Sequence, residues 1–245
     1  MKILNSLFCH IDRLINVLLV LVFILFLLLG SYAIYDTYST YESAELPDLI
    51  KKYQPSQSEE LQIEELKTNV NDDVEAWINI YDTTINYPIV QGKDNLEYLN
   101  KNYFHEYASA GSIFLDYRNS RAFEDNFSII YGHNLINNTM FGGLIKFEKK
   151  DYYDKHLSGM LHTSKGNYKI EVIAFSVLDA YDPIYNLIIY ANGRNKEVYD
   201  YIIKRARNKS NLEIKANDKL LLLSTCRANS DDKRSTLLTR IVKVD

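Results

Sequence analysis

The stretch Leu220-Leu221-Leu222-Leu223-Ser224-Thr225-Cys226 reads as a buried strand that ends on a thiol. A short unbroken apolar run is the pattern of a strand covered on both faces, and a rigid strand end can hold a cysteine against a cleft. The chain has two cysteines, and the other, Cys9, precedes a long apolar segment that reads as membrane-spanning. Thiols on opposite sides of a bilayer do not pair, so Cys226 is a candidate reactive thiol in an exported domain. The competing reading of Cys226 taken alone is a small buried hydrophobe that closes the strand.

Outward from that strand the period of two recurs. Ile78 and Ile80, then Ile85, Tyr87 and Ile89, alternate about the polar turn Asp82-Thr83-Thr84, which predicts a hairpin. Further strands are expected at residues 112–117, 127–131, 159–163, 168–178, 219–225 and 237–244. Helical spacing intrudes at residues 140–147, after Asn138-Thr139, and at 197–207, where Val198, Ile202 and Ala206 share a face. Many short strands with few helices predict a mainly β fold, a closed or nearly closed barrel. Upstream, Ser56 and Glu59 form a capping box ahead of Ile63, Leu66 and Val70. A second short helix is expected from Asn71 or Asp72, burying Val74, Trp77 and Ile78. Both amphipathic helices are expected to dock on the barrel, with a free helical stalk as the alternative.

The amino-terminal segment sets the compartment. Residues 17–29 are apolar without interruption, and the wider stretch 14–34 spans roughly 30 Å as a helix, the thickness of a hydrocarbon core. Lys2 and Arg13 precede it while Asp36, Glu42 and Glu45 follow, so the positive-inside rule keeps the amino terminus in the cytoplasm. The expected organisation is a cytoplasmic terminus (1–13), a signal anchor (14–35), a polar stalk (36–57) containing Pro47 and Pro55, and one external domain (58–245). The rival is a cleaved signal peptide with Ser31-Tyr32-Ala33 as its cleavage site. Either way the domain is exported, and the uncleaved anchor holds it on the outer face of a cell membrane. With 47% hydrophobic residues, 24% charged and a net charge of −4, the composition fits one globular domain and offers no basic stripe for nucleic acid. Twenty Tyr against nine Gly and four Pro favour a folded, strand-rich chain over a disordered one.

A thiol nucleophile wants a base or a cation nearby. Of five histidines, His10 falls on the wrong side of the membrane, and His105, His156 and His162 sit in polar stretches without recurring context. His133 differs: it follows the β-like run 127–130 in Tyr131-Gly132-His133-Asn134, where a glycine lets the backbone turn and project the imidazole. No His or Cys spacing matches a metal site such as two His one helical turn apart. Arg234, eight residues past Cys226, offers a permanently charged fork of donors suited to a carbonyl or an oxyanion. Arg227, Lys233 and Arg240 compete for that role, and spacing alone does not choose among them.

Together, Tyr-Gly-His-Asn, Leu-Ser-Thr-Cys and the following Arg, in a single-pass outward-facing β-rich chain, resemble a sortase. Sortases are membrane-anchored cysteine transpeptidases of Gram-positive bacteria, marked by a strand-borne T-L-x-T-C with an upstream His and a downstream Arg. Here Leu222 stands in place of the first Thr. The Ser before Thr-Cys, the amino-terminal helical pair, the run from Ile85 to Gly92, Asp94-Asn95-x-x-Tyr98-Leu99, Met140-Phe141 and the helix at 197–207 all look like class B. The resemblance covers roughly residues 58 to 244. It implies a closed barrel of about eight strands, with the helical pair at its start and an extra helix in the long loop before the cysteine strand.

The resemblance also implies roles. Cys226 as thiolate attacks the Thr carbonyl of a sorting motif, of N-P-x-T-x type, near the carboxyl end of a secreted protein. His133 handles the protons of the leaving and incoming amines, and Arg234 holds the carbonyl. A peptidoglycan-precursor amine then resolves the thioester, and the implied cycle needs no metal or cofactor. Tyr131, Ser224, Thr225, Ile184 and Tyr185 are the expected substrate contacts. Two departures stand out: Arg227 follows the cysteine where class B enzymes often carry an acidic or aromatic residue, and residues 227–233 are polar apart from Ala228. Two alternatives remain, a pilus-polymerising transpeptidase and a catalytically idle binding module. A papain-like protease lacks its local cysteine signature.

Overall fold

Among the described residues of the computed structural model, 2–55, 63–135, 137–190, 194–227 and 230–244, nine strands form one sheet that closes on itself. They are β1 (Val74–Ile80), β2 (Asn86–Val90), β3 (Phe114–Leu115), β4 (Phe127–Tyr131), β5 (Ser158–Thr163), β6 (Gly166–Asp179), β7 (Ala206–Lys209), β8 (Lys219–Arg227) and β9 (Ser230–Lys243). The order β5-β1-β2-β3-β4-β8-β9-β6 returns to β5 through a β5–β6 pairing, which makes an eight-stranded barrel, while β7 adds to β6 outside the ring. The β2–β3 and β4–β8 pairs are parallel; the others are antiparallel. Closure removes the open edges that a free sheet would expose.

The apolar run of β8 has its explanation in two-sided burial. Leu221 and Leu223 join one buried cluster with Ile78, Ile80, Ile89, Phe147 and Leu161, whereas Leu220 and Leu222 join a second with Ile129, Ile173, Val198 and Ile202. Val198 and Ile202 come from α5 (Asn195–Ile203), the expected extra helix before the cysteine strand. It ends at Ile203, four residues before the expected limit, because the chain turns there to build β7, which the sequence reading missed.

Several expectations are corrected. The proposed second helix at residues 71–78 is β1, buried on both faces except at Asn79. Trp77 is fully buried and donates from Nε1 to Asn86 Oδ1 at 2.6 Å, across the predicted hairpin. The helix expected at 140–147 is a 3₁₀ segment, Gly142–Glu148, followed by α4 (Lys150–Tyr153). β3 is shorter than expected, and β9 begins at Ser230 rather than Leu237.

The chain divides into two compact units, Met1–Glu42 and Ser43–Asp245. The first is almost all of the long helix α1 (Lys2–Ser43), whose apolar window has a mean hydropathy of 3.0 and is long enough to cross a membrane. The segment read as a stalk is not uniformly exposed: Ala44, Ile50 and Tyr53 are buried in the second unit, the latter two around α2 (Asp48–Lys51). Ile50, Tyr53, and Ile63 and Leu66 of α3 (Ile63–Asn69) pack with Val74, Trp77 and Tyr98 in a third cluster. The capping box at Ser56 lies outside the described residues.

Candidate active site

The parallel pairing of β4 with β8 brings the histidine loop beside the cysteine strand. Tyr131 is in register with Ser224, and Gly132 N donates to Ser224 O at 3.3 Å. A Cβ at residue 132 would collide with Ile113 Cδ1 and lie 3.0 Å from the Phe141 ring, so any larger residue would have to displace both. His133 follows at once. Its Nε2 lies 2.8 Å from Leu99 O, and its own carbonyl accepts from Phe141 N at 2.9 Å. A carbonyl only accepts, so Nε2 carries a hydrogen in this contact.

On the other side of β8, the antiparallel register sets Arg234 of β9 opposite Cys226. Of the four cations weighed from the sequence, Arg234 is the one that lines the groove among the described side chains. Arg240 is instead committed to Glu171 and to Asp218, the latter at 3.0 Å, and Lys233 pairs with Asp179.

The groove has a volume of about 490 Å³. His133, Arg234, Ser224 and Thr225 all line it, and Tyr131, Tyr185, Phe114 and Leu99 supply apolar and aromatic wall. Tyr131 stacks obliquely on Phe114 and Tyr185, with ring centroids at 5.4 and 6.3 Å. Tyr185 Oη and Ser224 Oγ are hydrogen-bonded at 2.9 Å, tying the 3₁₀ segment Pro183–Tyr190 to the cysteine strand. Leu96 and Tyr181, 72% and 91% exposed, form the rim. Of the residues named from the sequence as substrate contacts, Tyr131, Tyr185, Ser224 and Thr225 line the groove, and Ile184 does not: it is fully buried in the second cluster, against which Tyr185 packs.

Asn95, Leu96, Leu99 and Tyr181 were not singled out as contacts from the sequence. The pattern Asp94-Asn95-x-x-Tyr98-Leu99 was the available signal for the first three. Asp72, Asp73 and His105 bring ligand-capable atoms within 4.8 Å of one another outside this groove. Tyr98 Oη donates to Asp73 at 2.8 Å and Arg121 pairs with it at 3.4 Å, so Asp73 already has protein partners.

A cysteine strand, a histidine loop and an arginine strand brought together at one end of an eight-stranded barrel define a cysteine transpeptidase of the sortase type. No family model matches the chain. The sortase B of Listeria monocytogenes is 36% identical over 172 residues, 69% of each chain. Among solved structures, a Staphylococcus aureus sortase B–substrate complex superposes with a TM-score of 0.70 at 30% identity, covering 80% of this chain and 91% of that one. A Streptococcus pyogenes class B sortase involved in pilus biogenesis gives 0.68 at 35% identity, covering 74% and 98%. The chain belongs to the sortases, in class B.

Proposed function

We propose that this sortase is held at the outer face of a cell membrane by α1 and cleaves a carboxyl-terminal sorting motif of secreted proteins, with Cys226, His133 and Arg234 as its catalytic residues. The convergence of His133 and Arg234 on one groove at the end of the cysteine strand carries this reading. The Cys226 thiolate attacks the Thr carbonyl, and Arg234 stabilises the oxyanion as it forms. His133 gives its proton to the leaving amine, the amide C–N bond breaks, and a thioester remains. A peptidoglycan-precursor amine then attacks, His133 takes back a proton, and the thioester opens to a new amide. Tyr131, Tyr185, Ser224 and Thr225 hold the motif. A sortase B solved with its substrate supports a peptide-binding role for this groove.

The test is cleavage of quenched fluorescent peptides bearing N-P-x-T-x or L-P-x-T-G by the full-length chain in detergent, with candidate amines added. Cleavage is expected to favour N-P-x-T-x, to require an amine for transfer, and to drop at least a thousandfold in Cys226→Ala. Cleavage that survives that substitution rejects the mechanism. The Streptococcus pyogenes relative keeps a second reading in view, the polymerisation of pilins. A product joined to a pilin Lys rather than to a cell-wall peptide amine would select it.

A further inference from the structure

Asp116, one residue past β3, is fully buried and lines no part of the groove, yet it is bonded to the residues that do. Its Oδ1 accepts from Arg118 Nε at 2.8 Å and from Arg118 N at 3.0 Å. Its Oδ2 accepts from Arg118 Nη2 at 2.7 Å, Asn95 Nδ2 at 2.9 Å and Tyr131 Oη at 2.9 Å. Arg118 Nη2 reaches on to Tyr185 O at 2.9 Å. Asn95 is clamped from both ends, since its Oδ1 accepts from Tyr117 N at 3.0 Å.

One carboxylate therefore fixes Asn95 and Tyr131 directly and, through Arg118, the backbone at Tyr185. Those three residues stand on three different segments of the chain, and all three line the groove. A buried carboxylate paired with a partly exposed guanidinium is a poor source of net stability, because a well-packed apolar pair of similar volume does as well. An apolar pair cannot aim an amide, a phenol and a carbonyl-bearing turn at one cleft.

We propose that the Asp116–Arg118 pair is a positioning device that holds the groove in its peptide-binding shape. This rests on the groove being the sorting-motif site proposed above. Neither residue touches the reacting atoms, so its effect falls on substrate binding rather than on the chemistry of Cys226.

The experiment uses full-length Arg118→Lys, which keeps the charge and loses the fork, and Asp116→Asn, which keeps the shape. Three readouts are taken: KM and kcat for the best motif peptide, the rate of Cys226 alkylation by iodoacetamide, and hydrogen exchange at residues 183–187. Both variants are expected to raise KM about tenfold, as for the loss of a charged hydrogen bond. They are also expected to leave kcat within about twofold and alkylation unchanged, and to speed exchange at 183–187. Unchanged KM and exchange overturn the proposal, as does a fall of kcat and alkylation together at constant KM. Should either variant fail to fold, Arg118→Gln keeps an amide donor beside Asp116 and loses the charged fork, with an expected KM rise of roughly threefold and faster exchange at 183–187. A wild type that cleaves no motif rejects the sorting-motif reading instead, and the exchange result then judges the pair alone.

Discussion

Two buried carboxylates, Asp116 behind the groove and Glu75 beneath α3, have the same chemistry and opposite fates. Burial pushes both up. At Asp116 the bidentate Arg118 and the Asn95 amide outweigh that cost and hold the carboxyl below its ordinary range. At Glu75, set in the bulge of β1, the donors are Lys67 at 3.3 Å and Arg121 at 3.1 Å, and Arg121 is shared with Asp73. Desolvation wins there, and the carboxyl is raised. The number and aim of donors, not burial, decide whether a buried acid is a firm anchor or a loose tether. The firm one sits where the groove must be shaped, and the loose one ties a helix to the barrel wall.

The comparison breaks first at Asp116. Asp116→Ala strands the Arg118 guanidinium and the Tyr131 hydroxyl, and is expected to cost about 3–5 kcal/mol. That would lower Tm on the order of 10 °C, as read by a thermal melt. A loss below about 1 kcal/mol would show that water replaces the carboxylate and that the network is not tightly closed.

Glu75→Gln is expected to cost no more than about 1 kcal/mol at neutral pH, or about 2–4 °C. Its pH dependence sharpens the contrast. Glu75 binds its proton more tightly folded than unfolded, so its contribution is complete at low pH and is lost as pH rises through its folded value. Asp116 is the reverse: its contribution is present above the usual carboxylate range and is lost as pH falls through its folded value. Melts between about pH 4 and 7 should therefore show Glu75→Gln gaining on the wild type as pH rises. A constant difference would mean that Lys67 and Arg121 fully compensate the burial.

Legibility followed the kind of interaction. β2, β5 and the apolar run of β8 were readable from side-chain pattern, although four of the five residues of β2 are buried. Of β1 only the end was readable, where Ile78 and Ile80 alternate; burial of almost every residue from Val74 on hides the period of two and lets Val74, Trp77 and Ile78 mimic a helical stripe. The early start of β9 was hidden for the opposite reason. Residues 230–236 are polar, and backbone pairing to β8 and β6 draws them into the sheet. Cys226, His133 and Arg234 stood out through their motifs. The Leu99 carbonyl that fixes the imidazole was invisible, since a backbone oxygen has no sequence signature. Asp116 was missed although Asp-Tyr-Arg directly after an apolar strand was a usable sign of a bidentate pair.

The most direct measurement is the intact mass of the full-length chain, quenched in acid during turnover of an N-P-x-T-x peptide with no amine added. A covalent adduct equal to the peptide through its Thr, mapped to Cys226 and discharged when an amine is supplied, is the predicted result. Peptide cleavage with no adduct at Cys226, or an adduct that no amine discharges, would contradict a thioester transpeptidase in this groove.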